Sequence, residues 1–210
     1  MIYDKFSYLF PPRPDNAIPA KTINFYANRG YVAQYKKNGT CNILFVSPNK
    51  KITCMTRHNT DHKLWEPTTK SSVPFVNLPG NGWYVFVTEV LHSKFKGVLD
   101  THYIFDMLVN NSDYLVNRTF MERNDIMNTL FTSTSTTPSH AVISKHVWLA
   151  NIIASDSIAD SMKHISEHAT PENEGLVLKN PNAKLKICSS KNANNNWMVK
   201  CRVPHKNYSF

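Results

Sequence analysis

The sequence has 210 residues and is 41% hydrophobic and 19% charged, which is typical of a folded globular protein with its own core. Its formal charge is +9, and no acidic residue follows Glu174. A basic segment at one end of an otherwise balanced chain indicates a polyanionic partner. Composition and spacing exclude a membrane-spanning helix, which needs roughly 18 consecutive apolar residues, and argue against a structural zinc site, because none of the four cysteines forms a C-x-x-C pair.

The first half of the chain is predicted to be a lead-in followed by β-structure. Residues 1–20 hold the proline-rich FPPRPDNAIP and an early acid, which excludes a signal peptide and favours an extended segment without regular structure. Asn38-Gly39 is the strongest short hairpin signal, so we expect a meander of hairpins after it. The predicted elements are a helix over 21–28, strands over 31–37, 40–47 and 52–57, a long loop over 58–81, and strands over 83–91 and 101–109.

The second half predicts helices alternating with strands. Thr119 and Glu122 form a capping box at the start of a helix. The remaining predicted elements are a loop over 132–139, a strand over 141–149, a helix over 157–167, and strands over 175–179, 184–188 and 197–203. The sum is an α+β fold with two antiparallel β-sheets flanked by helices, and a cleft between the sheets. We expect one domain over 1–210.

Several short segments carry chemically useful side chains, and each has a plain structural reading. Lys36-Lys37-Asn38-Gly39 fits a hairpin with a solvated lysine. Glu89 lies in an apolar strand, where a carboxylate needs either a solvated edge or a cation facing it across a cleft. The other segments are Phe105-Asp106, the EGLVLK run over 174–179, and the last strand with Lys200 and Arg202.

In their order along the chain, these segments resemble the motifs of the covalent nucleotidyltransferases, the superfamily of ATP-dependent DNA and RNA ligases and mRNA capping enzymes. KKNG and EGLVLK, 138 residues apart, are the specific parts of the resemblance. The resemblance covers about residues 32–202 and is greatest to a small phage-type polynucleotide ligase. It implies an ATP-grasp-like adenylation domain with the nucleotide in the cleft, acting in the cytoplasm, which for a phage protein is that of the infected host.

The resemblance implies that Lys36 is the nucleophile. Its amine would attack the α-phosphorus of ATP, leaving AMP as a covalent adduct, and the AMP would pass to a 5′-phosphate that a 3′-hydroxyl then joins. The attack needs an unprotonated amine, and a free lysine has a pKa of about 10.4, which neighbouring cations and a bound metal would lower. Lys37 is the second choice, and strand alternation points it to the opposite face.

The resemblance also implies how the nucleotide is held. Gln34 stands where the family has a glutamate near the adenine amino group, and Phe105 matches the ring that stacks on adenine. Glu89 and Glu174 match the carboxylates that hold Mg²⁺ or Mn²⁺. The other nucleotide-binding residues are Gly39, Arg57, Lys179, Lys200 and Arg202, of which the last three would neutralise the triphosphate and the last two would act in catalysis.

Two departures from the family pattern bear on function. Cys41 stands where an arginine is frequent, five residues after the nucleophile, which removes one ribose or phosphate contact. The sequence ends eight residues after Arg202, so we expect no OB-fold in this chain, which favours RNA over DNA slightly and allows a separate OB-fold partner. We expect a monomer that grips nucleic acid through the remaining basic residues, Lys184, Lys186, Lys191 and Lys206.

Two other functions stay open at this point. A capping guanylyltransferase shares the nucleophile motif and would use GTP. A non-catalytic nucleic-acid-binding module on the same fold would explain Cys41 and the basic end, although it would have less reason to keep Lys36, Glu89, Glu174 and Lys200 together.

Overall fold

The computed structural model describes residues 9–58, 60–61, 69–91, 100–168, 170, 172–188 and 194–203. Over these ranges the chain has the predicted α+β fold, with two β-sheets and a few helices packed on them. The strands are β1 (Arg13–Ile18), β2 (Val32–Lys37), β3 (Thr40–Val46), β4 (Ile52–Thr56), β5 (Tyr84–Leu91), β6 (Thr101–Asn110), β7 (Asp113–Tyr114), β8 (Ser135–Thr136), β9 (His140–Ser144), β10 (Val147–Ala150), β11 (Asn173–Lys179) and β12 (Asn194–Arg202). The α-helices are α1 (Ile23–Ala27), α2 (Thr69–Val76), α3 (Phe120–Thr129) and α4 (Ile158–Glu167).

The strands divide into a small sheet and a large one. The small sheet has the order β1-β12-β11-β2, and the large sheet has the order β4-β3-β5-β6-β10-β9-β8, with β7 paired to β6. Most neighbours are antiparallel, but β1 pairs with β12 and β6 pairs with β10 in parallel. The two predicted sheets are present, and these two pairs depart from the predicted antiparallel pairing, because parallel partners are joined by long connections that leave no local turn signal.

Helices cover the outer face of the small sheet and part of the large one. Ile158, Met162 and Ile165 of α4 are buried at the predicted helical spacing and pack with α1 against the small sheet. Burying each of these side chains contributes roughly 2 kcal/mol. Phe75 of α2 and Met127 of α3 join the core of the large sheet. The uncovered faces of the two sheets line a common cleft.

The start of α3 confirms the predicted capping box. The Thr119 hydroxyl accepts a hydrogen bond from the Glu122 backbone N–H at 3.1 Å, and the Glu122 carboxylate accepts one from the Thr119 N–H at 2.7 Å. This reciprocal pair satisfies two backbone donors that would otherwise lack partners.

The corner after Lys37 corrects the predicted meander. β2 and β3 do not form a hairpin, because β2 belongs to the small sheet and β3 to the large one. The Asn38-Gly39 corner instead carries the chain from one sheet to the other, and a Cβ at Gly39 would lie 2.3 Å from the Val90 carbonyl oxygen. Glycine is needed there for close backbone approach. The second predicted turn does join a hairpin, β3 to β4, with Lys50 at φ 61°.

Other predicted elements also differ in the structure, among them the loop predicted over 132–139, in which Ser135–Thr136 form β8. The proline-rich lead-in is extended but regular, since 13–18 form β1 at the edge of the small sheet, where proline's missing N–H is tolerated. Residues 69–76 of the predicted loop form α2, and the predicted strand over 141–149 is two strands with a turn between them. Residues 184–188 form no strand, apart from an isolated bridge between Lys184 and Thr119. No helix in the described ranges is long and apolar enough to cross a membrane.

Candidate active site

The cleft between the sheets has a volume of about 530 Å³ and is lined by side chains from seven strands and the start of β1. Positive charge dominates it. The described lining residues include seven cationic side chains, those of Arg13, Lys36, Lys37, Arg57, Lys179, Lys200 and Arg202. Two carboxylates in the lining, Glu89 and Asp106, and a third that pairs with Lys36, Glu174, offset this charge only in part. A cleft of this charge attracts a polyanion.

Lys36, which lines the cleft, forms an ion pair with Glu174. β2 and β11 are antiparallel neighbours with Lys36 opposite Gly175, and this register brings the Lys36 ammonium into a hydrogen bond with the Glu174 carboxylate. The same carboxylate oxygen lies 3.4 Å from Nε of Arg202 on β12. Gly175 has a φ of 139° and no room for a Cβ, which would lie 2.1 Å from the Cys201 carbonyl oxygen. The glycine of EGLVLK therefore allows the close strand approach that joins these three side chains.

Glu89 enters the cleft from the large sheet. Its carboxylate accepts a hydrogen bond from the Gly39 N–H at 3.1 Å, so the corner after the two lysines also orients Glu89. Burial raises the pKa of Glu89 to about 7, although Lys36 and the Gly39 N–H act in the opposite direction. Nearby Glu174 raises this pKa further. A cation bound beside Glu89 would restore its charge.

Gln34, Lys179 and Phe105 form a separate group at another part of the cleft. The buried Lys179 ammonium donates hydrogen bonds to the Gln34 amide oxygen at 2.6 Å and to the Phe105 carbonyl at 3.3 Å. Burial lowers the pKa of Lys179 to about 8. The resemblance assigns Lys179 to the triphosphate, whereas the structure places it with the two residues assigned to the base.

Gln34 retains one unused donor. Its side chain is 2% exposed, and its Nε2 atom has no hydrogen-bond partner among the described residues. Since a lysine can only donate, Lys179 fixes the amide with its oxygen toward the ammonium. The Gln34 amide therefore offers a free N–H and the second lone pair of its oxygen.

A buried ion pair supports the strand that carries Phe105. Asp106 accepts two hydrogen bonds of 2.9 Å from the Arg123 guanidinium of α3, and both side chains are almost fully buried. Burial would raise the pKa of Asp106, but the charge and hydrogen bonds of Arg123 outweigh it and hold the pKa below its ordinary value. Asp106 thus anchors α3 to β6, and it belongs to a different set of contacts from Glu89 and Glu174.

Lys37 belongs to a different network from Lys36. Its ammonium donates to Asn173 Oδ1 at 2.8 Å and to the Ser139 hydroxyl at 3.2 Å. Burial lowers the pKa of Lys37 to about 8. The side chains of the two adjacent lysines have no hydrogen-bond partner in common, although both residues line the cleft.

The remaining predicted residues lie in two places. Arg57 and Lys200 line the cleft, whereas Lys184 and Lys186 are exposed. Lys186 lines a smaller groove that shares Phe10 and Pro12 with the cleft. Lys191 and Lys206 lie outside the described residues.

Arg13 is a charged cleft residue that the sequence did not predict. It lies on β1, in a segment predicted to lack regular structure, and none of the motifs named above includes it. Its only sequence signal is an arginine flanked by prolines.

The acidic residues fit a metal ion that the substrate helps to bind. Glu89 and Glu174 are close enough for their charges to interact, and the described residues contain no group of three or more potential metal ligands. Mg²⁺ is commonly bound by one or two carboxylates together with substrate phosphates and water. The pair therefore suits Mg²⁺ or Mn²⁺ beside a phosphate.

Solved structures share this fold at low sequence identity. A mycobacterial DNA ligase D complexed with ATP and MES matches with a TM-score of 0.64 and 14% identity over 94% of this chain and 61% of that chain. The ligase domain of M. tuberculosis LigD matches with a TM-score of 0.59 and 13% identity over 94% and 60%. An archaeal ATP-dependent RNA ligase matches with a TM-score of 0.52 and 12% identity over 92% and 48%. The chain thus spans about half to three fifths of these structures, and no curated relative matches its sequence.

The match to a family model and the fold support the nucleotidyltransferase superfamily that the sequence predicted. The family model for the ATP-dependent DNA ligase domain matches residues 63–200, about two thirds of the sequence. The chain belongs to this family. Its phage-type character stays a prediction.

Proposed function

We propose that the protein is an ATP-dependent polynucleotide ligase that works through a covalent lysyl-AMP on Lys36. The observation that carries this proposal is the position of Lys36, paired with Glu174 in a cation-rich cleft of a ligase-family fold. A lysine held in this way is next to groups that attract phosphate, which is the setting that nucleotidyl transfer needs.

In the first step, the Lys36 Nζ atom forms a bond to the α-phosphorus of ATP. The bond from that phosphorus to the β-phosphate bridging oxygen breaks, and pyrophosphate leaves. The Lys36 ammonium, which is paired with Glu174, first gives one proton to solvent so that Nζ has a lone pair, and it gives a second proton to solvent when the N–P bond forms. Arg202 and Lys200 stabilise the negative charge that develops on the phosphates.

In the next two steps, AMP passes to a nucleic acid and is then released. A 5′-phosphate oxygen attacks the lysyl phosphorus, and Lys36 regains its two protons. A 3′-hydroxyl then attacks the activated 5′-phosphate, forms the phosphodiester and expels AMP. Arg57 lies in the cleft lining, where it contributes charge toward the ribose or the nucleic-acid phosphate.

Glu89 and Glu174 would hold a divalent metal, which would neutralise phosphate charge when bound. The raised pKa of Glu89 supports this role, because a buried carboxylate without a cation is poorly stabilised. Each carboxylate also has a contact within the protein: Glu174 accepts a hydrogen bond from the Lys36 ammonium, and Glu89 accepts one from the Gly39 N–H.

Gln34 and Phe105 would hold the adenine. The unused N–H of Gln34 can donate to a ring nitrogen of adenine, and the second lone pair of its oxygen can accept from the neighbouring amino group. The half-buried Phe105 ring lines the same cleft and offers a stacking surface.

A sealing assay tests the proposal. The pure protein is incubated with ATP and Mg²⁺ and with nicked DNA, nicked RNA or single-stranded RNA, each carrying a 5′-phosphate and a 3′-hydroxyl. A joined product on one of these substrates, absent when the 5′-phosphate is removed, supports a ligase. Covalent labelling by GTP and not ATP would point to a guanylyltransferase, and salt-dependent binding without any covalent nucleotide would point to a non-catalytic module.

A further inference from the structure

The cleft lacks a charge at Cys41, next to the acidic residue of the large sheet. Cys41 on β3 is the cross-strand partner of Glu89 on β5, and it lines the cleft. A thiol is either neutral or anionic, so this side chain never carries a positive charge. It brings no positive charge to a phosphate.

Arg13 reaches the same part of the cleft from the opposite sheet. β1 pairs in parallel with β12, and this pairing places Arg13 in the cleft lining with Cys41 and Lys200. The charge of Arg13 is close enough to act on both the Cys41 thiol and the Lys200 ammonium.

The Arg13 guanidinium has unused donors. It makes no ion pair or side-chain hydrogen bond within the described part of the chain. The Glu174 carboxylate forms its ion pairs with Lys36 and Arg202, and neither Arg13 nor Lys200 forms one with it. Arg13 and Lys200 are therefore neighbouring cations whose charges repel one another. Burial lowers the pKa of Lys200, and the positive charges of Arg202 and, to a smaller extent, Arg13 lower it further. A phosphate between Arg13 and Lys200 would relieve the repulsion and use the planar donor fork.

We propose that Arg13 is a phosphate-binding residue of the cleft, supplying from β1 the positive charge that Cys41 does not supply from β3. The inference rests on the proposed function for the identity of the phosphate. This is either the triphosphate of ATP or the 5′-phosphate of the nucleic acid. The pairing of β1 with β12 holds the backbone of Arg13 in place, and Pro12 and Pro14 restrict the backbone on either side of it.

Calorimetric titration separates the two phosphate sources. Four proteins are compared: wild type, Arg13→Ala, Arg13→Ala with Cys41→Arg, and the control Arg29→Ala. The control removes an exposed arginine that lies on the Phe25 ring beside α1. Each is titrated with tripolyphosphate and with α,β-methylene-ATP, which cannot release pyrophosphate, and each is assayed for sealing of a preadenylated nick. Arg13→Gln replaces Arg13→Ala if that variant does not fold by circular dichroism.

If Arg13 binds the triphosphate, Arg13→Ala weakens both triphosphate ligands about tenfold or more, and Arg29→Ala leaves them unchanged. If it binds the nucleic acid, the loss appears only in sealing of the preadenylated nick. If the lost affinity or sealing recovers in the Arg13→Ala, Cys41→Arg double variant, an arginine at position 41 can replace the one at position 13, as the proposal requires. Unchanged binding and sealing in Arg13→Ala overturn the proposal, and a loss that Cys41→Arg does not recover overturns the exchange. Since tripolyphosphate binding needs no adenylation, a wild-type protein that binds it but forms no lysyl-AMP contradicts the proposed function alone.

Discussion

The ammonium of Lys179 lies 2.6 Å from the amide oxygen of Gln34, and both side chains are at most 3% exposed. A buried cation needs such an acceptor, and the same contact decides which way the Gln34 amide points. One hydrogen bond therefore stabilises Lys179 and also orients the donor that we assign to the base.

Replacing Gln34 should weaken ATP use through this contact. Gln34→Leu removes the acceptor for Lys179 and the base contact together, so we expect the KM for ATP in lysyl-AMP formation to rise about tenfold or more. Gln34→Glu keeps an acceptor and should stay within a few-fold of wild type. Steady-state kinetics of pyrophosphate release measures both, and a Gln34→Leu enzyme with an unchanged KM would show that Gln34 does not hold the nucleotide.

Glu89 should reduce stability as the pH rises. The folded-state pKa of Glu89, about 7, lies above the ordinary 4.5. The free energy of unfolding is therefore highest below pH 4.5, and it falls as the pH rises from 4.5 through 7, because the unfolded chain gives up this proton first. Glu89→Gln keeps the acceptor for the Gly39 N–H and removes this loss. With a penalty of roughly 3 kcal/mol at pH 8, the variant should melt several degrees above wild type at that pH and much closer to it at pH 5.

The same Glu89→Gln variant should lose activity while it gains stability, because it no longer binds a metal as a carboxylate does. Thermal melts at the two pH values and a Mg²⁺ titration of lysyl-AMP formation measure the two effects. A melting difference that does not depend on pH would show that Glu89 is not the titrating group.

The Asp106–Arg123 pair should be among the most costly polar contacts to break. Arg123→Met leaves the Asp106 carboxylate buried without its cation, so we expect a loss of about 3–5 kcal/mol in the free energy of unfolding. Arg118→Met, in the exposed pair with Glu122 on the same helix, should cost less than about 1 kcal/mol. Urea denaturation measures both, and similar losses would contradict the structural role of Arg123.

The exposed lysines should act on the nucleic acid and not on ATP. Changing both Lys184 and Lys186 to glutamine should weaken nucleic-acid binding and make the slope of log K against log salt shallower by up to about 2, while lysyl-AMP formation stays near wild type. Lys163→Gln, an exposed change on α4, is the control. An equal fall in adenylation would show that the two lysines also serve the nucleotide.

Sequence patterns predicted the parts of the fold that depend on short-range signals. The capping box at Thr119, the spacing of Ile158, Met162 and Ile165, and the turn before Lys51 all appear in the structure. The motifs also identified the superfamily, which the family match over 63–200 and the fold support; that match includes EGLVLK but not KKNG.

Long-range relationships could not be predicted in the same way. Asn38-Gly39 has the composition of a hairpin, but the chain uses its glycine to pass close to Val90 and change sheets. β1 becomes a strand only because β12, at the other end of the chain, provides a partner for an edge that prolines can occupy. Arg13 was missed for the same reason, since its place in the cleft depends on that pairing.

The most direct test of the account is the intact mass of the protein after incubation with ATP and Mg²⁺, for wild type, Lys36→Ala and Lys37→Met. Lys37 is the matched control because it is adjacent and lines the same cleft but bonds to Ser139 and Asn173. We expect one added AMP on wild type and on Lys37→Met, and none on Lys36→Ala. An adduct that persists in Lys36→Ala, or that is absent from the wild-type protein, would contradict the central claim.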